Sequence, residues 1–133
     1  MVEVEIRGKK FPLCLTVAAV DKIDEKCGGL SGITKFLDGE ENGKTNAGKA
    51  VYNTAWLLGL LIQEGEENRL ILCRFDGEKA ERRAVPDSEA ICHLLTVASA
   101  KKYRAAVFEA INESLKQEIE AVHPKNGKSE EQA

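Results

Sequence analysis

Seven residues, Gly39-Glu40-Glu41-Asn42-Gly43-Lys44-Thr45, come nearest to a reactive motif in this chain. A glycine-rich loop ending in Gly-Lys-Thr can cradle phosphate with backbone N–H groups and a lysine. This one fails on spacing and charge. Its first glycine stands one residue too close to Gly-Lys-Thr, no hydrophobic strand leads directly into it, and Glu40 and Glu41 occupy positions that need positive potential. A charged solvent loop is the better reading. His93 and His123 are the only histidines, and Cys14, Cys27, Cys73 and Cys92 are scattered singly with no CxxC pair. Structural zinc sites space close pairs of ligands, so no metal is expected. A cysteine nucleophile needs a base and an orienting group, and the spacing supplies neither. Glu64, Glu66, Glu67, Asp76, Glu78 and Glu81 are mixed with Arg69, Arg74, Lys79, Arg82 and Arg83. That pattern suits a solvated surface better than two poised acids with separated pKa values. No catalytic residue and no cofactor is assigned, and the expectation is a protein that binds rather than an enzyme.

Composition narrows the field further. A chain of 133 residues suits one domain and can bury a core without covalent staples. Its net charge of -3 is no general nucleic-acid footprint. The basic clusters Arg82-Arg83 and Lys101-Lys102-Tyr103-Arg104 are short and lack an RNP-like aromatic strand, so no nucleic-acid partner is expected. Four dispersed cysteines in apolar contexts read as buried, reduced thiols of a cytosolic protein. Met1 to Ile6 shows no basic region followed by an apolar one, so no leader is expected.

The longest apolar run is Val51 to Ile62, interrupted only by Asn53 and Thr54 among polar side chains. It is too short to span a bilayer, so no membrane partner is expected. A segment apolar on nearly every side must instead be buried by neighbours, which predicts a central helix over 47–63. Before it, Val2, Val4 and Ile6 alternate with charged residues. Phe11, Leu13 and Leu15 follow after Arg7-Gly8-Lys9-Lys10. The pair predicts a β-hairpin, with Pro12 on a free edge. Thr16 caps a helix to about Lys26, closed by Gly28-Gly29, and Ser31 caps a short second helix. Residues 38–48 read as a mobile loop. Asp76-Gly77, between two runs, suggests a second hairpin at 70–85; a helical turn through 68–74 is the alternative. Pro86-Asp87-Ser88 opens a short helix, and Thr96 or Ser99 caps a long last one, with Tyr103, Val107, Phe108, Ile111, Leu115, Ile119 and Val122 on one stripe. The fold class is α+β, mostly α: one compact domain over 1–123, then a disordered polar tail over 124–133.

The order of these elements resembles the tail assembly chaperones of long-tailed phages and prophages. The resemblance covers roughly residues 3–122. It rests on the hairpin with Phe-Pro-Leu-Cys-Leu-Thr, the helix Val17 to Gly29, the apolar central helix, and Tyr103-Arg104-Ala105-Ala106-Val107-Phe108-Glu109-Ala110-Ile111-Asn112-Glu113-Ser114-Leu115. It implies a mostly helical middle, from which a hairpin at 70–85 would depart. It also implies a cytoplasmic assembly factor, absent from the finished particle, that holds the tape measure protein and helps recruit tail tube protein around it. Repeated copies would best cover a long partner helix, so homo-oligomers are compatible with that role. Candidate partner-binding residues are Phe36, Leu37, Tyr52, Trp56, Tyr103, Val107 and Ile111, each weighed against plain core packing. The main alternative is a structural or head-tail connector component of the particle.

Overall fold

Alternation does at the N-terminus what it dictates: Val2, Val4 and Ile6 are buried while Glu3 and Glu5 face solvent. A computed structural model of the chain describes residues 2–122, with side chains as far as residue 116. Strands β1 (Glu3–Ile6) and β2 (Lys9–Pro12) form a two-stranded antiparallel sheet, with Ile6 opposite Lys9 across the Arg7-Gly8 turn. The rest is mostly helical. The helices are α1 (Val17–Cys27), α2 (Ile33–Leu37, entered through a 3-10 turn at Leu30–Gly32), α3 (Ala47–Phe75), α4 (Ser88–Leu94) and α5 (Val97–Val122). The architecture is α+β, mostly α. No helix among the described residues is long and apolar enough to cross a membrane. The tail expected over 124–133 lies outside the described residues, as do the side chains of Ile119 and Val122.

Local chemistry sets most of the helix ends. The Thr16 hydroxyl accepts from Ala19 N–H and caps α1; Asn46 does the same for α3 through Lys49 N–H, and Asp87 for α4 through Ala90 N–H. Thr96 and Ser99 cap α5 reciprocally: Thr96 N–H donates to Ser99 Oγ at 3.1 Å, and Ser99 N–H to Thr96 Oγ1 at 3.3 Å. Ser31 does not cap α2; that helix follows Gly32 without a side-chain cap. Residues 38–46 fold back through a Glu41–Lys44 bridge around an Asn42-Gly43 turn, both at positive φ, the geometry expected of an Asn-Gly hairpin turn.

Two sequence expectations fail around α3. The helix does not stop at Gln63, and the chain over 70–85 forms no second hairpin: α3 continues to Phe75, 29 residues in all, and an extended strap follows to α4. Asp76-Gly77 is a helix terminator, not a strand turn. Gly77 N–H bonds Arg74 O and Glu78 N–H bonds Cys73 O, with Gly77 at φ 73°. That is a Schellman ending, and it needs the same left-handed glycine that a hairpin turn needs. The charged stretch Glu64 to Asn68 does not end the helix, and two of its three glutamates are engaged inward: Glu64 accepts from Thr16 Oγ1 at 2.6 Å, and Glu66 is 2% exposed.

From Asn53 to Ile62 every residue of α3 except Trp56 is buried. The core joins this stretch to Val4, Phe11, Leu13, Ala19, Ile23, Ile33, Leu37, Ile91, Tyr103, Val107 and Ile111. Within α3, two glycines let neighbouring backbones approach. A Cβ at Gly59 would overlap the backbone of Ser88 at the start of α4, and one at Gly65 would overlap the Pro12 carbonyl at the end of β2. Gly59→Ala should therefore destabilise by about 1–3 kcal/mol through overpacking, despite alanine's better helix propensity. Gly48→Ala, where the added carbon meets only Asn46 Oδ1 at 3.5 Å, should stabilise by roughly 0.5–1 kcal/mol. Urea denaturation of both variants checks the pair; equal effects would contradict the packing at Gly59.

Candidate interaction surface

The buried faces of the helices consume most of the residues expected to meet a partner. Leu37, Tyr103, Val107 and Ile111 are between 0% and 7% exposed and belong to the core. Tyr103 also donates its hydroxyl to Glu5 O at 3.0 Å, tying α5 to β1. Phe36 and Trp56 are partly buried and meet edge to face, ring centroids 5.7 Å apart at 79°. Lys26 Nζ sits 5.4 Å from the Trp56 ring centroid. Tyr52, 49% exposed, lies one turn before Trp56 on α3 with Lys49 Nζ 5.7 Å from its ring centroid. Phe36, Tyr52 and Trp56 are thus the members of the expected set with surface to offer.

The largest exposed apolar side chains lie elsewhere. Ile71, Leu72 and Phe75 are 48%, 49% and 82% exposed in the last turns of α3. Their i, i+1, i+4 spacing puts them on one face of the helix, opposite the buried Leu70. Reading 70–85 as a hairpin hid this patch; the Ile71/Phe75 spacing with Gly77 just beyond was the signal for an apolar helix tip. Val17, Leu94 and Val97 are further large aliphatic residues exposed among the described residues.

Below the tip, a buried carboxylate fastens the strap. Glu66 accepts from Arg69 Nε at 2.9 Å and Nη2 at 2.7 Å, and from Arg83 N–H at 2.6 Å and Nε at 3.1 Å. Arg69 Nη2 also donates to Glu81 O at 2.8 Å, and Gln63 Nε2 donates to Val85 O and Pro86 O, each at 3.3 Å. Arg82 pairs with Glu67 at the surface. The Arg69 side chain, with the backbone and side chain of Arg83, holds the Glu66 pKa down to about 2 although burial opposes this. Glu66 is therefore a fixed anion at neutral pH, with no proton to give.

Other groups offer little poised chemistry. Burial pushes the Cys14, Cys27 and Cys92 thiols above their ordinary pKa, away from the reactive thiolate. His93 is exposed near the end of α4. Among the described residues no cluster of three or more His, Cys, Asp or Glu side chains is placed to hold a metal ion.

The Glu66 clamp predicts a pH signature. Its folded pKa lies below the unfolded value of 4.5, so its stabilisation is complete above about pH 4.5 and disappears as pH falls through 2. Glu66→Gln should cost about 2–3 kcal/mol at neutral pH. Its deficit relative to the parent chain should shrink steadily from pH 4.5 to 2 in urea melts; a deficit constant with pH would contradict the clamp. No protein-family model, curated protein or solved structure matches the chain.

Proposed function

We propose that this chain is a non-enzymatic phage tail assembly chaperone, one that binds the tape measure protein and helps recruit tail tube subunits around it. The observation that carries the reading is the apolar tip of α3. Three large side chains, Ile71, Leu72 and Phe75, stand together in solvent on a helix whose middle, Asn53 to Ile62, is locked in the core. Such a patch has a cost in solubility and is characteristic of binding surfaces. A long amphipathic helix can lay its apolar stripe against it, with Phe75 as the aromatic anchor. The helical course of 70–75 also fits the mostly helical middle implied by the resemblance to tail assembly chaperones. In this role the protein acts in the cytoplasm of the bacterial host and leaves before the particle is complete.

Co-expression with the neighbouring large tape-measure-like protein tests the proposal. The parent chain should hold that protein in solution as a multi-copy complex. Ile71→Asp/Phe75→Asp should keep the parent melting behaviour, because neither side chain belongs to the core, and should lose capture of the large protein. A large protein that is soluble alone, or that is captured equally by the double variant, would overturn the assignment.

A further inference from the structure

Strand β2 is paired on one side only. Leu13 N–H donates to Val2 O at 2.9 Å, which makes Val2/Leu13 a hydrogen-bonded pair. Such pairs alternate along an antiparallel ladder, so Val4/Phe11 and Ile6/Lys9 are hydrogen-bonded, while Lys10 and Pro12 turn their backbone polar groups away from β1. On the opposite edge, the outward Glu5 carbonyl is taken by Tyr103. On β2, Pro12 has no N–H and its carbonyl lies against Gly65. Lys10 alone keeps an outward N–H and C=O, and neither has a backbone partner among the described residues.

A cavity of about 460 Å³ opens beside that edge, between β2 and the strap, lined by Lys9, Lys10, Phe11, Arg83, Ala84 and Val85. Its charge is one-sided. Lys9 and Lys10 are exposed and form no ion pair among the described residues. Arg83 gives its backbone N–H and Nε to Glu66, and 49% of its side chain remains exposed. Glu66 is already shared with Arg69, so one buried anion faces two arginines. Glu5, across the ladder from Lys10, is the acid that the register places nearest. In a chain of net charge -3 this cleft is a local positive exception.

We infer that the cleft takes an extended acidic segment of a partner protein. The segment's backbone pairs with the N–H and C=O of Lys10, and its alternate carboxylates, which share one face of the added strand, meet Lys9 and the Arg83 guanidinium. Strand addition of this kind uses an unpaired edge for affinity and flanking side chains for selectivity. A single-stranded nucleic acid suits the cleft less well, because Phe11 is buried and offers no stacking platform. The inference stands whether or not the α3 tip binds a tape measure protein.

Fluorescence anisotropy with the full chain tests it, using a labelled peptide of alternating Glu and Val, its Gln/Val counterpart, and a single-stranded oligonucleotide of equal charge. The Glu/Val peptide should bind at low salt and weaken as salt rises, and the Gln/Val peptide should bind far more weakly. Lys9→Gln/Lys10→Gln should reduce Glu/Val affinity about tenfold with an unchanged melt. N-methylation of the peptide backbone should also abolish binding, a loss that charge attraction alone does not produce. Equal binding of the two peptides, undiminished binding to the double variant, oligonucleotide binding as tight as the peptide's, or no peptide binding at all would each overturn the inference.

Discussion

The burial of α3 between Asn53 and Ile62 is the constraint on which the rest of the structure depends. A helix enclosed on nearly every side leaves its neighbours to divide its circumference: the hairpin, α1, α2, α4 and α5 each bury apolar residues in the same core. Close approach is possible because Gly59 and Gly65 present no Cβ to Ser88 and Pro12. Enclosure also forces its polar atoms to find partners. Asn53 Nδ2 donates to Phe36 O at 2.7 Å and Thr54 Oγ1 to Ala50 O at 2.9 Å; Asn53 Oδ1 is buried with no hydrogen-bond partner among the described residues.

The same helix runs beyond the core, and that overrun gives the molecule its most conspicuous surface. Leu70 is the last buried apolar residue of α3; Ile71, Leu72 and Phe75 follow in solvent. The strap that returns from Gly77 could have covered them, but Glu66 holds it lower down, against Gln63 to Arg69. One buried carboxylate thus does two things. It terminates the packing of the strap, and it leaves the tip bare. Its strength comes from charge-assisted hydrogen bonds made away from water, not from the surface pair Arg82–Glu67 beside it, whose partners are both substantially exposed.

Much of this was legible in the residues. Alternation at Val2, Val4 and Ile6 gave the hairpin, Thr16 gave the start of α1, and the run Val51 to Ile62 gave the buried middle of α3. What escaped was tertiary. Glu64 and Glu66 look like a solvated helix end until Thr16 and Arg83 are brought to them from elsewhere in the chain, beside the local partner Arg69 one turn on. Asp76-Gly77 serves a strand turn and a helix terminus with the same left-handed glycine, so the dipeptide could not choose between them. Tyr103, Val107 and Ile111 have the types of a docking stripe, but a helical stripe does not reveal whether its own core or a partner covers it. The exposed tip was misplaced for the same reason: as a strand, Ile71 and Phe75 would share a face with Cys73, whereas in a helix they form one outward turn with Leu72.

The central functional claim is that the α3 tip is where a partner lands. Amide hydrogen exchange on the chain alone and in complex with the tape-measure-like protein addresses it most directly. Binding at the tip should slow exchange in the last turns of α3, around residues 70–78, while the amides of Asn53 to Ile62, already enclosed, change little. Protection confined to α1 or the hairpin, with the α3 tip exchanging as in the free chain, would contradict the account.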